Sequence, residues 1–213
     1  DRVIATVGAI PLAVDVLNTN KNAMLALGAL AAATVGVASG ALAIDGLALT
    51  ASGTPNMIVT VGGGCIFSQQ QVDATAYGAL GTDTGTITKI GHNVGGTAFT
   101  LTAPGTAGQS INYLIQATFA ETDGGAVVLP FYNPTNPSSP YSGPGGAGTA
   151  SNTRRMQRVS LQLKAGTAAA TGSQTTPAVD AGWTGLYMLT INNGQTQIFQ
   201  AQCNTASLSN IPS

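Results

Sequence analysis

Few residues in this sequence could do chemistry, and they are spread along it. His92 is the only histidine, which excludes a metal site built on several imidazoles. It stands between Gly91 and Asn93, a setting that predicts a turn. The eight acidic residues, Asp1, Asp15, Asp45, Asp73, Asp83, Glu121, Asp123 and Asp180, are scattered. They form no tight pair of the kind that glycoside hydrolysis needs. Asp123 precedes Gly124-Gly125 and reads as a turn residue. Serines are abundant, but nothing places one beside His92 and a carboxylate. Gly62-Gly63-Gly64 is followed by neither the lysine nor the helix of a phosphate-binding loop. Cys65 and Cys203 are too few for a disulfide framework; they either pair or remain buried thiols. The chain is therefore expected to be no enzyme and to hold no cofactor or metal.

Residues suited to binding are easier to find. Arg154, Arg155, Arg158 and Lys164 place four of the seven basic residues within eleven positions. Phosphate or anionic-glycan contact needs such clustering, but also a broader basic field, and the net charge is -1. Nucleic acid is not an expected partner. Met156, Gln157, Val159, Leu161 and Leu163 between the basic residues suggest a strand flanked by solvated charges. Pairing of Arg154 and Arg155 with a neighbour's acid is a further option. Among the aromatic residues, Tyr113, Phe119, Trp183 and Tyr187 read as core. Tyr132 and Tyr141 bracket Pro134, Pro137 and Pro140 and are candidates for contact with a partner or a sugar.

The elements that would position these residues begin with an extended arm over residues 1–11. It carries Val3, Ile4, Val7 and Ile10, and Pro11 closes it. From Leu12 to about Val35 the pattern turns helical: Met24, Leu27, Leu30, Ala31, Thr34 and Val35 recur at spacings of three and four. Asn18 or Asn20 is a candidate cap at its start, and Gly36 a stop. Small residues around the helix permit close approach of a second helix. Met24, Leu27 and Ala31 are then contact candidates at a symmetry axis; the alternative is a helix lying on its own β-domain. Residues 23–44 carry no charge and are long enough to span a bilayer, but alanine and glycine gain little from lipid. A helix in a protein interface is expected, with no membrane insertion. No secretory signal is read at the start.

Thereafter the signals are strands and turns. Strands are expected at 41–50, 56–61, 65–71, 85–90, 97–102, 111–119, 126–132, 158–164, 186–191 and 195–200. Asp123-Gly124-Gly125 and Asn192-Asn193-Gly194 are the strongest hairpin turns. Residues 143–152 and 166–177 are low-complexity loops. The expected fold is mainly β: an antiparallel β-sandwich or barrel-like domain over 39–213, with a Pro/Gly-rich loop at 133–152. An arm and one α-helix over 1–38 precede it and serve docking or oligomerisation.

Composition points the same way. Of 213 residues, 7% are charged, against about 25% in ordinary soluble domains. Hydrophobic residues make up 44%, which argues against disorder. A surface so poor in charge is weakly protected from association, and a subunit of an assembly is expected rather than a low-charge monomer.

Several phrases also carry a likeness. They are Ile10-Pro11-Leu12 leading to Leu17-Asn18-Thr19-Asn20-Lys21-Asn22-Ala23-Met24, and the run Pro104-Gly105-Thr106-Ala107-Gly108-Gln109-Ser110-Ile111-Asn112-Tyr113-Leu114-Ile115-Gln116. Val127-Val128-Leu129-Pro130-Phe131-Tyr132-Asn133, Tyr141-Ser142-Gly143-Pro144-Gly145 and Asp180-Ala181-Gly182-Trp183-Thr184-Gly185-Leu186 follow. In this order the chain resembles tail proteins of tailed bacteriophages and prophages, of the tail-fibre or baseplate group, from about Ile10 to Gly194. The phrases contain no catalytic motif. The resemblance implies a virion subunit, commonly a homotrimer, whose partners are itself and other tail or baseplate proteins. Such proteins usually continue into a distal part that meets the host receptor. An ending at Ser213 favours a baseplate or fibre-attachment subunit, or a truncated fibre; the alternatives are a host receptor- or glycan-binding module of a tail fibre, or a non-phage surface or filament subunit.

Overall fold

Between Asn112 and Ala117 two sets of side chains alternate. Tyr113, Ile115 and Ala117 fall on one face, and Asn112, Leu114 and Gln116 on the other, the period of a β-strand. In the computed structural model, which describes residues 1–4, 7, 10 and 12–208, this run lies in the longest strand and is buried on both faces. In chain order the elements are α1 (Ala13–Val35), β1 (Leu42–Gly46), β2 (Leu49–Ala51), β3 (Ile58–Val61), β4 (Gly64–Asp73), β5 (Asp83–Asn93) and β6 (Thr97–Thr100). Then come β7 (Gln109–Val127), β8 (Pro130–Phe131), β9 (Tyr141–Ser142), β10 (Ser151–Ala165), β11 (Ala169–Ala170), β12 (Thr184–Asn192) and α2 (Gln200–Asn204). The arm expected over residues 1–11 lies largely outside the described residues.

The protein is mainly β, with two sheets facing each other in a sandwich-like fold. The larger sheet has seven strands in the order β1-β4-β5-β10-β7-β11, with β12 also on β7; the smaller has the order β2-β3-β6. Leu49, Val59 and Val61 of the small sheet share one core with Ile44, Ile66, Ile115, Leu189 and Ile191 of the large one. The ladders β1–β4, β4–β5, β7–β11, β7–β12, β2–β3 and β3–β6 are antiparallel, whereas β10 meets β5 in parallel at Arg158 and His92. The chain divides into two compact units. Asp1–Ala120 with Arg158–Ser213 form the first, and Glu121–Gln157 the second.

Helix α1 starts at Ala13, earlier than the asparagines suggest. The Asp15 carboxylate accepts a hydrogen bond from the Leu12 N–H at 2.8 Å, so an acid in the first turn does the capping. Gly36 ends the helix as expected, in the left-handed conformation with φ 64°. The close approach that small residues permit is used within the chain: a Cβ on Gly28 would stand 2.9 Å from the Thr88 carbonyl oxygen of β5. Lys21 adds an ion pair to Asp83 at 2.5 Å.

Four local expectations are corrected. The strand over 41–50 breaks at Gly46 and Leu47, both with positive φ, because the chain there leaves the large sheet for the small one. Leu47 tolerates this conformation because it is 1% exposed and its backbone is held. Its N–H donates to the Gly63 oxygen at 3.0 Å, and its carbonyl accepts from the Tyr187 hydroxyl at 2.9 Å. Asp123-Gly124-Gly125 makes no hairpin, since β7 continues to Val127. Residues 195–200 form no strand. A turn forms at Asn192, with Gln195 N–H bonded to the Asn192 oxygen at 3.1 Å, but it makes no hairpin, because the chain then enters α2. There the Gln200 amide accepts from the Ala51 N–H and donates to the Leu49 oxygen, binding α2 to β2 in place of a ladder. Lastly, His92 lies in β5, opposite Cys65, and not in a turn.

Candidate interaction surfaces

The basic run lies on β10 and divides. Arg155 meets Asp123 through two bonds, Nε to Oδ1 at 2.7 Å and an Nη to Oδ2 at 3.0 Å. This bidentate bond, with the added charge of the guanidinium, holds the Asp123 carboxyl below its ordinary value. Asp123 is thus a partner of Arg155 and no turn residue. Lys164, in the first unit, donates to Asp180 at 2.5 Å and to the Ala178 oxygen at 2.7 Å. Its hydrogen bond, with that of Gln116, lowers the Asp180 carboxyl as well. So Arg155 takes its acid from its own chain, while Arg154 is exposed.

In the second unit, the side chains of Gln157, Arg155 and Thr153 bond to Glu121, Asp123 and the Gly125 oxygen in turn. Steps of two forward on one strand and two back on the other are one face of an antiparallel ribbon. Beyond it, β8 and β9 pair at Pro130–Ser142 and Phe131–Tyr141. The proline loop between them is shaped by Asn133, whose side-chain oxygen accepts from the N–H groups of Thr135 and Asn136 at 3.0 and 3.1 Å. Tyr132 is 74% exposed and Tyr141 37%. Val127, Val128 and Phe131 are exposed too, and Gly143 is the one buried residue of this unit. The second unit has no hydrophobic core of its own.

On α1 the buried residues are Gly28 and Ala31, and Met24 is half-buried. Ala31, 6% exposed, is covered within its own chain. Leu27 and Leu30, at 60% and 61%, face away with Val16. Val16, Ala23, Leu27 and Leu30 share one face of a 3.6-residue helix, so an apolar stripe is open.

Chemistry-bearing side chains are not gathered. Among the described residues, no group of three or more His, Cys, Asp and Glu side chains is placed to hold a metal ion. Cys65 and Cys203 are free thiols, and burial pushes the pKa of each up. No described helix is long and apolar enough to cross a membrane.

Sequence reasoning missed the polar residues buried on the outward face of β7. Ser110 and Gln116 are fully buried and Asn112 is 6% exposed. Gln116 donates to Asp180 at 2.6 Å and to Gln162 at 2.8 Å, and accepts from the Asp180 N–H at 3.0 Å. Asn112 donates to Thr176 at 3.0 Å, and Ser110 bonds Thr171 at 2.7 Å. The low-complexity loop at 166–177 is therefore tied down over β7. The signal was present as polar residues at alternate positions of an apolar strand.

Compared with known proteins, the chain matches no family model, no curated protein and no solved structure.

Proposed function

We propose that this chain is a non-enzymatic structural subunit of a phage virion tail, at the baseplate or the fibre attachment, which works through contacts between subunits. One observation carries the reading: an apolar skin with few charges, open on α1 at Val16, Leu27 and Leu30 and on the second unit at Val127, Val128, Phe131 and Tyr132. Patches of this kind mark surfaces that partners cover. A ribbon without a core also gains apolar burial only from what docks on it. The sequence likeness to tail proteins supports a phage tail as that assembly. It favours three copies around an axis, together with other tail or baseplate proteins. Mass spectrometry of purified virions tests the location, and a particle preparation lacking this chain would sink the reading.

A second reading has its own observation. Tyr132, 74% exposed, stands at the start of a loop rich in asparagine, and an aromatic face with nearby amides suits a host glycan. Tyr132→Ala with Tyr141→Ala separates the two. Intact particles that fail to adsorb favour the glycan module, whereas particles that do not assemble favour the structural subunit.

A further inference from the structure

At one margin of the large sheet, β1 pairs with β4 on one side and, among the described residues, with no strand on the other. Such an edge offers unpaired N–H and C=O groups, and β1, Leu-Ala-Ile-Asp-Gly, has no lysine or proline to blunt it. Beside it runs a groove of about 580 Å³ lined by Val35, Val37, Leu42, Ile44, Asp45 and Phe67 among others. The sheet is apolar on both faces here. Leu42 and Ile44 occupy one, and Ala43, opposite Phe67, the other.

The N-terminal segment has the complementary character. Ile4, Val7 and Ile10 are 89%, 102% and 86% exposed. Extended, the segment would carry Val3 and Val7 on one face and Ile4 and Ile10 on the other, apolar on both as the edge requires. Asp1 and Arg2 lead it, and exposed Asp45 at the groove supplies the charge opposite to that of Arg2. Ile10 cannot reach the groove of its own chain, so a segment that lies there along its whole apolar length comes from another copy. The segment joins α1 at Ala13, while Val35 and Val37 of the groove lie at the far end of that 23-residue helix. The helix spans about 34 Å at its usual rise, whereas the chain from Ile10 to Ala13 extends at most about 10 Å.

We propose that the N-terminal segment of a second copy adds as a strand to the free edge of β1, with its apolar side chains in this groove and Arg2 on Asp45. The recognition is β-strand addition: main-chain bonds supply affinity, and alternate side chains supply selectivity. The proposal rests on the assembly reading, and names the surface through which one copy holds the next.

Disulfide trapping tests it. Ile4→Cys and Ala43→Cys are made in separate full-length chains, both carrying Cys65→Ser, and mixed under mild oxidation. A covalent pair formed by the mixture, and by neither chain alone, is the expected result. No pair in the mixture, while circular dichroism shows both chains folded, overturns the proposal. So does a bridge inside one chain that carries both cysteines. Removing residues 1–10 should raise the concentration for half-association roughly a thousandfold or more, judged from three apolar side chains left unburied. A truncated chain that associates like the full one overturns arm docking and leaves the subunit reading standing. A full chain that stays monomeric at every concentration sinks both.

Discussion

Gly91 shows how one residue can carry a sheet junction. A Cβ there would stand 2.6 Å from the Arg158 carbonyl oxygen, where β10 pairs with β5 in parallel. Backbone cannot give way as a flexible side chain can. Gly91→Val is expected to cost about 2–4 kcal/mol, read from the urea midpoint. Gly95→Ala, whose Cβ would meet nothing within 4 Å, is the control and should change stability by less than about 0.5 kcal/mol. At the same scale, Asp83, Asp123 and Asp180 have their carboxyls lowered, chiefly by side-chain hydrogen bonds from Lys21, Arg155 and Lys164. A folded pKa below the unfolded one stabilises above the unfolded value of about 3.9, and that stability is lost as pH falls through the folded value. The melting temperature should therefore hold between about pH 7 and 5 and drop below about pH 4. Asp123 is exposed and Asp83 and Asp180 are half-buried, so solvent screens each pair and its drop is small. A midpoint that rises on acidification would contradict the assignment.

At the scale of elements, α1 has two faces with different duties. Gly28 and Ala31 fix it to the sheet, and the Val16, Leu27 and Leu30 face is open. Leu27→Lys with Leu30→Lys should leave folding stability within about 0.5 kcal/mol, because neither side chain is buried. The same variant should lower the mass seen by light scattering if this face is covered in the assembly. A large loss of stability would mean that these leucines pack within the chain. The second unit differs in kind. It is held by the Glu121–Gln157 and Asp123–Arg155 bonds and by the Asn133 turn, without apolar burial. Its amides are expected to exchange with solvent faster than those of β7 at Tyr113 to Ala117, and docking of a partner should slow them.

For the whole molecule, eight acidic and seven basic residues among 213 leave little for salt to screen. Association should be nearly unchanged between about 0.1 and 1 M sodium chloride, and strengthened by sulfate, which promotes apolar burial. Dissociation at high chloride would show that ion pairs hold the copies together, and would remove the argument from low charge.

What the sequence determined by itself was whatever is written in short-range pattern. The β-rich character, the helix and its Gly36 stop, the Asn192 turn and the core run of β7 depend on neighbours two to four residues apart, and all are present. Only the tertiary structure decided what depends on distant partners. Asp123-Gly124-Gly125 has the local chemistry of a hairpin, but Arg155, far along the chain, takes up Asp123 and the strand runs on. Met24, Leu27 and Ala31 read as contacts with a second helix, yet Ala31 and Gly28 are covered within the chain, because only small side chains let α1 approach the β5 backbone. The loop at 166–177 lacks any periodic signal of its own. Its order comes from Ser110, Asn112 and Gln116, polar groups that the sandwich buries and that must find partners.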